Sequence, residues 1–415
     1  MATGNLTQAE GVLKIVGGKY AIDYETTPQF FNRVNKGSGN ALSDRGFEIP
    51  TEIEGNWAHG WPTDGGDWPV GGSITTIRPR VYFKEYAHSV RLTIRAIQTI
   101  KPDAAYIKSW TGKNLDGSLR AGYKMNNIYA QGTGNGLLAV VSSGANSTTQ
   151  TINPTSGAGA NDNVRYLKFG MKVSFWDPTL TLLRGSATIT STPTPGQTTI
   201  TISAAVSTTT GDYVVIFGGA NQAITGIKAI VDDTTEAGTI FQDTSRNTYR
   251  NYRAQVIDAG SVGLDVELLT RMVGAKIQVA MGGIDRGDYE LWSYMSQTAQ
   301  YMSLGYNLKR YDGKSKSLDL GYTSYEFQGM PWTEEVDMAK DRVHYLDFST
   351  IEKYVAKPWG WEDTDGRILR MVPSATSGVA YTSQVEGYWT CDYNLGSPNP
   401  RANGKIITLT VPSGY

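Results

Sequence analysis

Glu334, Glu335, Asp337 and Asp341 lie close enough in the sequence to form a converging set of carboxylates. Two chemistries need such a set: glycoside hydrolysis, in which one carboxyl protonates the leaving group while another attacks or activates water, and hard-cation binding. Carboxylates on a loop are more commonly solvated, or paired across a subunit boundary. Three histidines, His59, His88 and His344, fall in separate segments and have neither an HExxH spacing nor any other paired metal spacing. Gly313, Lys314 and Ser315 imitate the end of a phosphate-binding loop, but Leu308 stands where the first glycine must let the backbone curl round phosphate. In the same way Leu137 takes the third glycine position after Gly132 and Gly134, so the dinucleotide pattern fails. No catalytic, cofactor-binding or metal-binding residue is assigned.

The remaining constellations suit contacts better than catalysis. Lys309, Arg310, Lys314 and Lys316 make the densest basic cluster, fitted to nucleic acid through counterion release or to the acidic edge of a neighbouring subunit. Asp312 and Asp319 dilute it, which favours solvation or a subunit contact. Trp57, Trp61 and Trp68 stand among glycines and prolines; on a solitary domain they would expose much apolar area, whereas interfaces use such anchors. Packing within their own subunit is the alternative. Arg78 and Arg80 are suited to bidentate carboxylate pairing across an interface.

Positioning these groups takes a chain of 415 residues, 40% hydrophobic and 19% charged, enough for two or three packed units. A formal net charge of −1 excludes an overall basic footprint, so any nucleic-acid contact must be local. A single cysteine, Cys391, rules out an internal disulfide. The opening residues lack a basic segment followed by an apolar one, and no run of 18 apolar residues occurs, which leads us to expect a soluble protein retained where it is made, with no membrane partner.

Periodicity predicts an α+β chain. Residues 1–45 read as an extended arm, and 46–80 as a long loop or twisted hairpin. Val90, Leu92 and Ile94 alternate as a strand does. Asp103 to Tyr129 has helical spacing, weakened by Gly112, Gly117 and Gly122 at about 1 kcal/mol each. Residues 136–219 carry no charge from Gly136 to Asn161 and none from Gly185 to Gly211. Strands 170–177 and 211–217 and a hairpin joining 187–189 to 200–204 mark an inserted β-barrel or sandwich. Farther on, the spacing predicts a strand at 224–231, a helix at 264–273, a strand at 276–281 and a helix at 288–302 buried against a sheet. Tyr325 and Phe327 alternate as a strand, Gly329, Met330 and Pro331 break the ladder, and Val343 to Phe348 is a core strand. Ser349 and Glu352 fit a capping box that opens a helical turn, Trp359, Trp361 and the Asp365–Gly366 turn lead into Ile368 and Leu369, and Ile407, Leu409 and Val411 form a last strand.

Two stretches resemble tailed-phage major capsid proteins of the Hong Kong 97 fold. One is 325–370, where Gly329 to Pro331, Asp337 to Asp341, Tyr345 to Asp347, Trp361 and Gly366 to Arg370 follow the family's peripheral-domain order. The other is the glycine motif Gly132, Gly134 and Gly136 ahead of Leu137 to Ala139, similar to the end of the capsid spine helix, with Gln131 in place of a glycine. The resemblance implies an N-terminal arm (1–45), an E-loop (46–80), P-domain strand and spine helix (81–135), the inserted β domain (136–219), a mainly A-domain segment (220–325) and a P-domain return with remaining A-domain strands (326–415). It implies no enzyme and no cofactor, but a structural virion component that self-assembles into hexamers and pentamers of an icosahedral head. Its expected partners are other copies of itself, a scaffolding protein, a portal, decoration proteins and packaged double-stranded DNA, with assembly in the host bacterial cytoplasm. Some relatives crosslink an E-loop lysine to an asparagine; Gly37 to Phe83 contains no lysine, so a shell without that bond is expected. A β-rich adhesin or glycan-binding module is the competing class, on the strength of the aromatics and uncharged threonine strands.

Overall fold

The computed structural model describes residues 29–42, 46–94, 120–122, 124–153, 163–193, 197–279, 289–308, 325–363, 367–374 and 380–412. The chain divides into two compact units, one of Val34–Tyr82, Tyr129–Tyr354 and Leu395–Tyr415, the other of Met1–Arg33, Phe83–Ile128 and Val355–Asn394.

In the larger unit, strands β1 (Thr51–Glu54) and β2 (Thr75–Ile77) pair antiparallel, Thr51 facing Ile77. Residues 55–74 between them form no strand, as their glycine and proline content dictates. Six strands then build the inserted module: β3 (Leu137–Ser143), β4 (Asn146–Ile152), β5 (Lys172–Trp176), β6 (Leu183–Thr188), β7 (Thr199–Ser207) and β8 (Tyr213–Ile216), in the order β6-β5-β8-β3-β4-β7. Chain next to the two outer strands meets again at an antiparallel bridge between Ile189 and Ile202, where Thr190 N donates to Thr201 O at 2.8 Å. Along β7, Ile200 and Ile202 are buried while Thr199 and Thr201 are exposed, which is the alternation read from sequence. β7 forms its longer ladder with β4, and it meets the 187–189 side of the expected hairpin at the Ile189–Ile202 bridge and through Thr188 N, which donates to Ser203 Oγ at 3.0 Å.

A second sheet forms the core of this unit. After the short helix α1 (Ile227–Ile230) come β9 (Gln255–Asp258), helix α2 (Val266–Val279), β10 (Tyr289–Ser293), helix α3 (Met295–Leu308), β11 (Tyr325–Phe327), β12 (Met330–Glu334), β13 (Val343–Asp347) and β14 (Gly404–Ile407). The order is β9-β14-β13-β10-β12-β11, with β9/β14 and β10/β12 parallel and the other pairs antiparallel. Leu268, Leu269, Met272 and Val273 of α2 pack on Leu291, Trp332, Val343, Tyr345 and Ile406, so one sheet face is covered by the helical stripe that spacing predicts.

Several expectations fail here. Residues 227–230 are helical where a strand was expected, because a short, wholly buried apolar run carries no period. Lys276 to Val279 continue α2 where a strand was expected. Trp292 lies on β10 and the helix begins only at Met295, so the tryptophan is buried in the sheet and Met295 is exposed. Met330 and Pro331 sit inside β12, the break falling at Gln328 and Gly329. Ser349 opens no helix: its N and Oγ donate to Asp347 Oδ1 at 2.9 and 2.6 Å, and Glu352 starts a strand. The last strand ends at Ile407, before Leu409 and Val411.

In the smaller unit, Lys84–Thr93 pairs antiparallel with the long strand Tyr381–Gly396 from Thr93↔Gln384 to Lys84↔Tyr393, and Arg370–Pro373 takes the opposite edge. Aromatic edges fill its core, with Trp361 on Trp389 at 5.2 Å and Tyr86 on Trp359 at 5.7 Å. Residues 124–130 are helical, which is the end of the helix expected over 103–129; its start lies outside the described residues.

Candidate functional site

Two arrangements in the larger unit stand out. The first is the tip of the β1–β2 hairpin. Asn56 organises it locally: its Nδ2 donates to Gly72 O at 3.0 Å, and its Oδ1 accepts from Ala58 N at 2.9 Å. These bonds fasten the two ends of the tip and leave its apolar side chains outside. Trp57 is 59% exposed, Trp61 99%, Trp68 82%, Val70 88% and Ile74 52%. The alternative that these tryptophans pack within their own subunit is therefore overturned. Apolar area of this extent on one hairpin is more than a solitary chain commonly leaves bare. At its base Arg78 Nη1 and Arg80 Nε stand 3.5 and 3.7 Å from the Glu48 carboxylate of the same chain, so both exposed arginines share a largely covered internal partner. Lys309 and Arg310 lie outside the described residues.

The second arrangement was not singled out by sequence. Trp292, His344 and Lys405 face one another across β10, β13 and β14, on the sheet face opposite α2. The segment after α1 brings acids to that face. Lys405 Nζ lies 3.0 Å from Asp232 Oδ1 and 2.5 Å from Glu236 Oε2. Arg342 Nη1 donates to both oxygens of Glu236 at 2.9 and 3.1 Å, and Lys228 Nζ lies 3.2 Å from Glu236 Oε1. Beyond these, Arg342 Nε donates to Asp341 Oδ1 at 3.0 Å, and Arg246 Nη1 is 3.8 Å from Asp232 Oδ2. Backbone amides of Thr234 and Ala237 also donate to Asp232, at 3.2 and 2.9 Å.

Burial opposes ionisation of Glu236, yet Arg342, Lys228 and Lys405 outweigh it and hold the carboxyl well below the usual range. Burial, with Arg342 and Lys405 adding to it, brings Lys228 down to about 8 against the pull of Glu236. His344 is pushed well below 6.5 by burial and then by Arg342 and Lys405. Glu236 is thus held ionised and His344 neutral within the buried network. Of the four carboxylates considered first, Asp341 is committed to Arg342, and Asp337 N donates to Glu335 Oε1 at 3.2 Å. Among the described residues no group of three or more His, Cys, Asp or Glu converges as a metal site. The sequence signal for this network was slight: single lysines inside apolar runs, Lys228 in 227–231 and Lys405 in 404–407.

No family model matches this chain, and no curated protein matches it in sequence. Solved structures do. A chain in the capsid asymmetric unit of cyanophage A-1(L) is similar at a TM-score of 0.51 and 12% identity, covering 91% of each chain. A capsid chain of a native GTA particle is similar at 0.46 and 11%, covering 91% of this chain and 89% of that one. A chain in the satellite phage P4 procapsid that includes the size determination protein is similar at 0.44 and 10%, covering 95% and 91%. At such identities it is the fold that is shared, and the cyanophage chain carries that conclusion over nearly the whole length of both molecules.

Proposed function

We propose that this chain is the major capsid protein of a tailed double-stranded DNA bacteriophage, a member of the Hong Kong 97 class. In this reading it assembles as hexamers and pentamers into an icosahedral head around the genome. The observation that carries the reading is the exposed tryptophan hairpin, borne on a fold shared over 91% of both chains with a cyanophage capsid chain. Residues 46–80 act as the E-loop, whose apolar tip is covered by a neighbouring copy; 1–45 act as the arm. The six-stranded module, with its outer strands rejoined through Ile189 and Ile202, serves as a β-barrel insertion on the shell surface. The role is structural, without catalysis. A scaffolding protein, a portal, decoration proteins and DNA on the inner face are the partners this reading requires, and the virion is where the chain ends up after assembly in the host cytoplasm. Expression with a candidate scaffolding protein followed by electron microscopy tests it. Closed shells are the expected result; a chain that stays a solitary monomer under every condition and with every scaffold tried would falsify the reading.

A further inference from the structure

One end of the inserted module presents aromatic rings to solvent. Phe169, on the turn that leads into β5, and Phe217, which follows β8, are both exposed. β5 and β8 pair with Val173 opposite Ile216, and Phe217 N donates to Lys172 O at 3.0 Å, so the two phenylalanines stand at the same end of the sheet. Lys172 holds its ammonium over the Phe217 ring, 3.6 Å from the centroid, as an exposed cation–π pair. Lys168 is exposed beside it. Neither β5 nor its sheet neighbours β6 and β8 contain an acidic residue, so this apolar surface is positive in sign.

The β1–β2 hairpin tip has the opposite character. Its exposed tryptophans are accompanied by exposed carboxylates at Glu52, Glu54, Asp64 and Asp67, and no lysine or arginine occurs from Thr51 to Ile77. An aromatic anchor rimmed with acids fits an aromatic surface rimmed with lysines: ring packs on ring, and carboxylate meets ammonium at the edge. Both surfaces are exposed in the single chain, so joining them takes a second copy.

We propose that the hairpin tip docks on the Phe169–Phe217 end of the inserted module of a neighbouring copy, with Asp64 and Asp67 facing Lys172. The contact presupposes the self-assembling role proposed above and names the surface that receives the tip. It joins two different patches, tip to module, which is the kind of interface that closes into rings by repetition. A rim of opposite charges governs approach and register, so assembly slows as salt rises.

Carbodiimide, which joins a carboxylate to an amine only where the two touch, tests this on the full chain assembled with scaffolding protein from an equal mixture of ordinary and heavy-nitrogen copies. Mass spectrometry is expected to find mixed-isotope peptides joining Asp64 or Asp67 to Lys172. Lys172→Glu is expected to slow assembly about tenfold by light scattering while unfolding in urea like the parent, and Asp64→Lys with Asp67→Lys in that same chain to recover the rate. Shells whose tip carboxylates are joined only to lysines outside residues 136–219, or assembly at the parent rate in Lys172→Glu, overturn this contact and leave the shell reading standing. A parent chain that associates with no copy of itself under any condition overturns both.

Discussion

Glu236 holds Arg342, Lys228 and Lys405 together, and its removal takes from three buried cations the carboxylate they share. Breaking a buried pair by deleting one partner costs about 3–5 kcal/mol, because the abandoned charge cannot be rehydrated. We expect Glu236→Gln to lose at least that much in urea unfolding. Lys228→Met should lose less, since Glu236 keeps two cations. The same site makes stability fall with acid. A histidine whose folded pKa lies below its ordinary 6.5 takes its proton more readily once unfolded, so stability declines as pH drops below about 6.5. Glu236, depressed below its ordinary 4.5, contributes fully above that value and is lost on further acidification. Urea midpoints measured from pH 8 to pH 3 should therefore begin to fall below about 6.5 and fall more steeply below about 4.5, and His344→Gln should flatten the first decline and keep the added steepness. A pH-independent midpoint across 7 to 5 in the parent chain contradicts this account.

Elements show where local sequence suffices. The turn at Gly136 is legible: its φ is +80°, and an added Cβ would stand 2.2 Å from Gly219 O, so Gly136→Ala meets both backbone strain and a clash with main chain that cannot swing aside. A loss of about 2–4 kcal/mol in thermal or urea unfolding is expected. Half-buried strands such as β7 were legible from their alternating isoleucines and threonines. β10 was not. Leu291, Trp292 and Ser293 are all buried, so the strand shows no alternation, and Trp292 happens to stand at helical spacing from Met295, Ala299 and Met302. β4 hid for the opposite reason. Its polar sequence conceals an inward Gln150, whose amide donates to Ser147 O and Val206 O at 2.8 and 3.0 Å and accepts from Thr208 at 2.7 Å. Lys276 stays helical because its ammonium reaches the carbonyls of Arg401 and Ala402, a tertiary partner that a local window does not contain.

At the scale of the molecule, the legible part was what repeats as a pattern: the glycine-rich turn, the strands at 325–327 and 343–347, and the aromatic hairpin. The charge network stayed hidden because it draws on segments more than 170 residues apart in sequence, as the Lys405–Asp232 bond shows. If the shell reading holds, the two features separate experimentally, since the network stabilises each copy and the hairpin tip joins copies. The absence of lysine from Gly37 to Phe83 means shells should dissolve to single chains on a denaturing gel. The tip itself gives the sharper test. Trp57, Trp61 and Trp68 are all exposed in the isolated chain, so replacing all three with serine should leave monomer stability within about 0.5 kcal/mol. In an interface each such anchor is worth about 2 kcal/mol, roughly thirtyfold in association, repeated at every copy of the contact. The triple variant should therefore unfold like the parent in urea yet fail to form shells at concentrations where the parent assembles fully. Parent-like assembly by light scattering would show that the tip faces solvent in the finished particle, and the contact would have to be sought elsewhere on the fold.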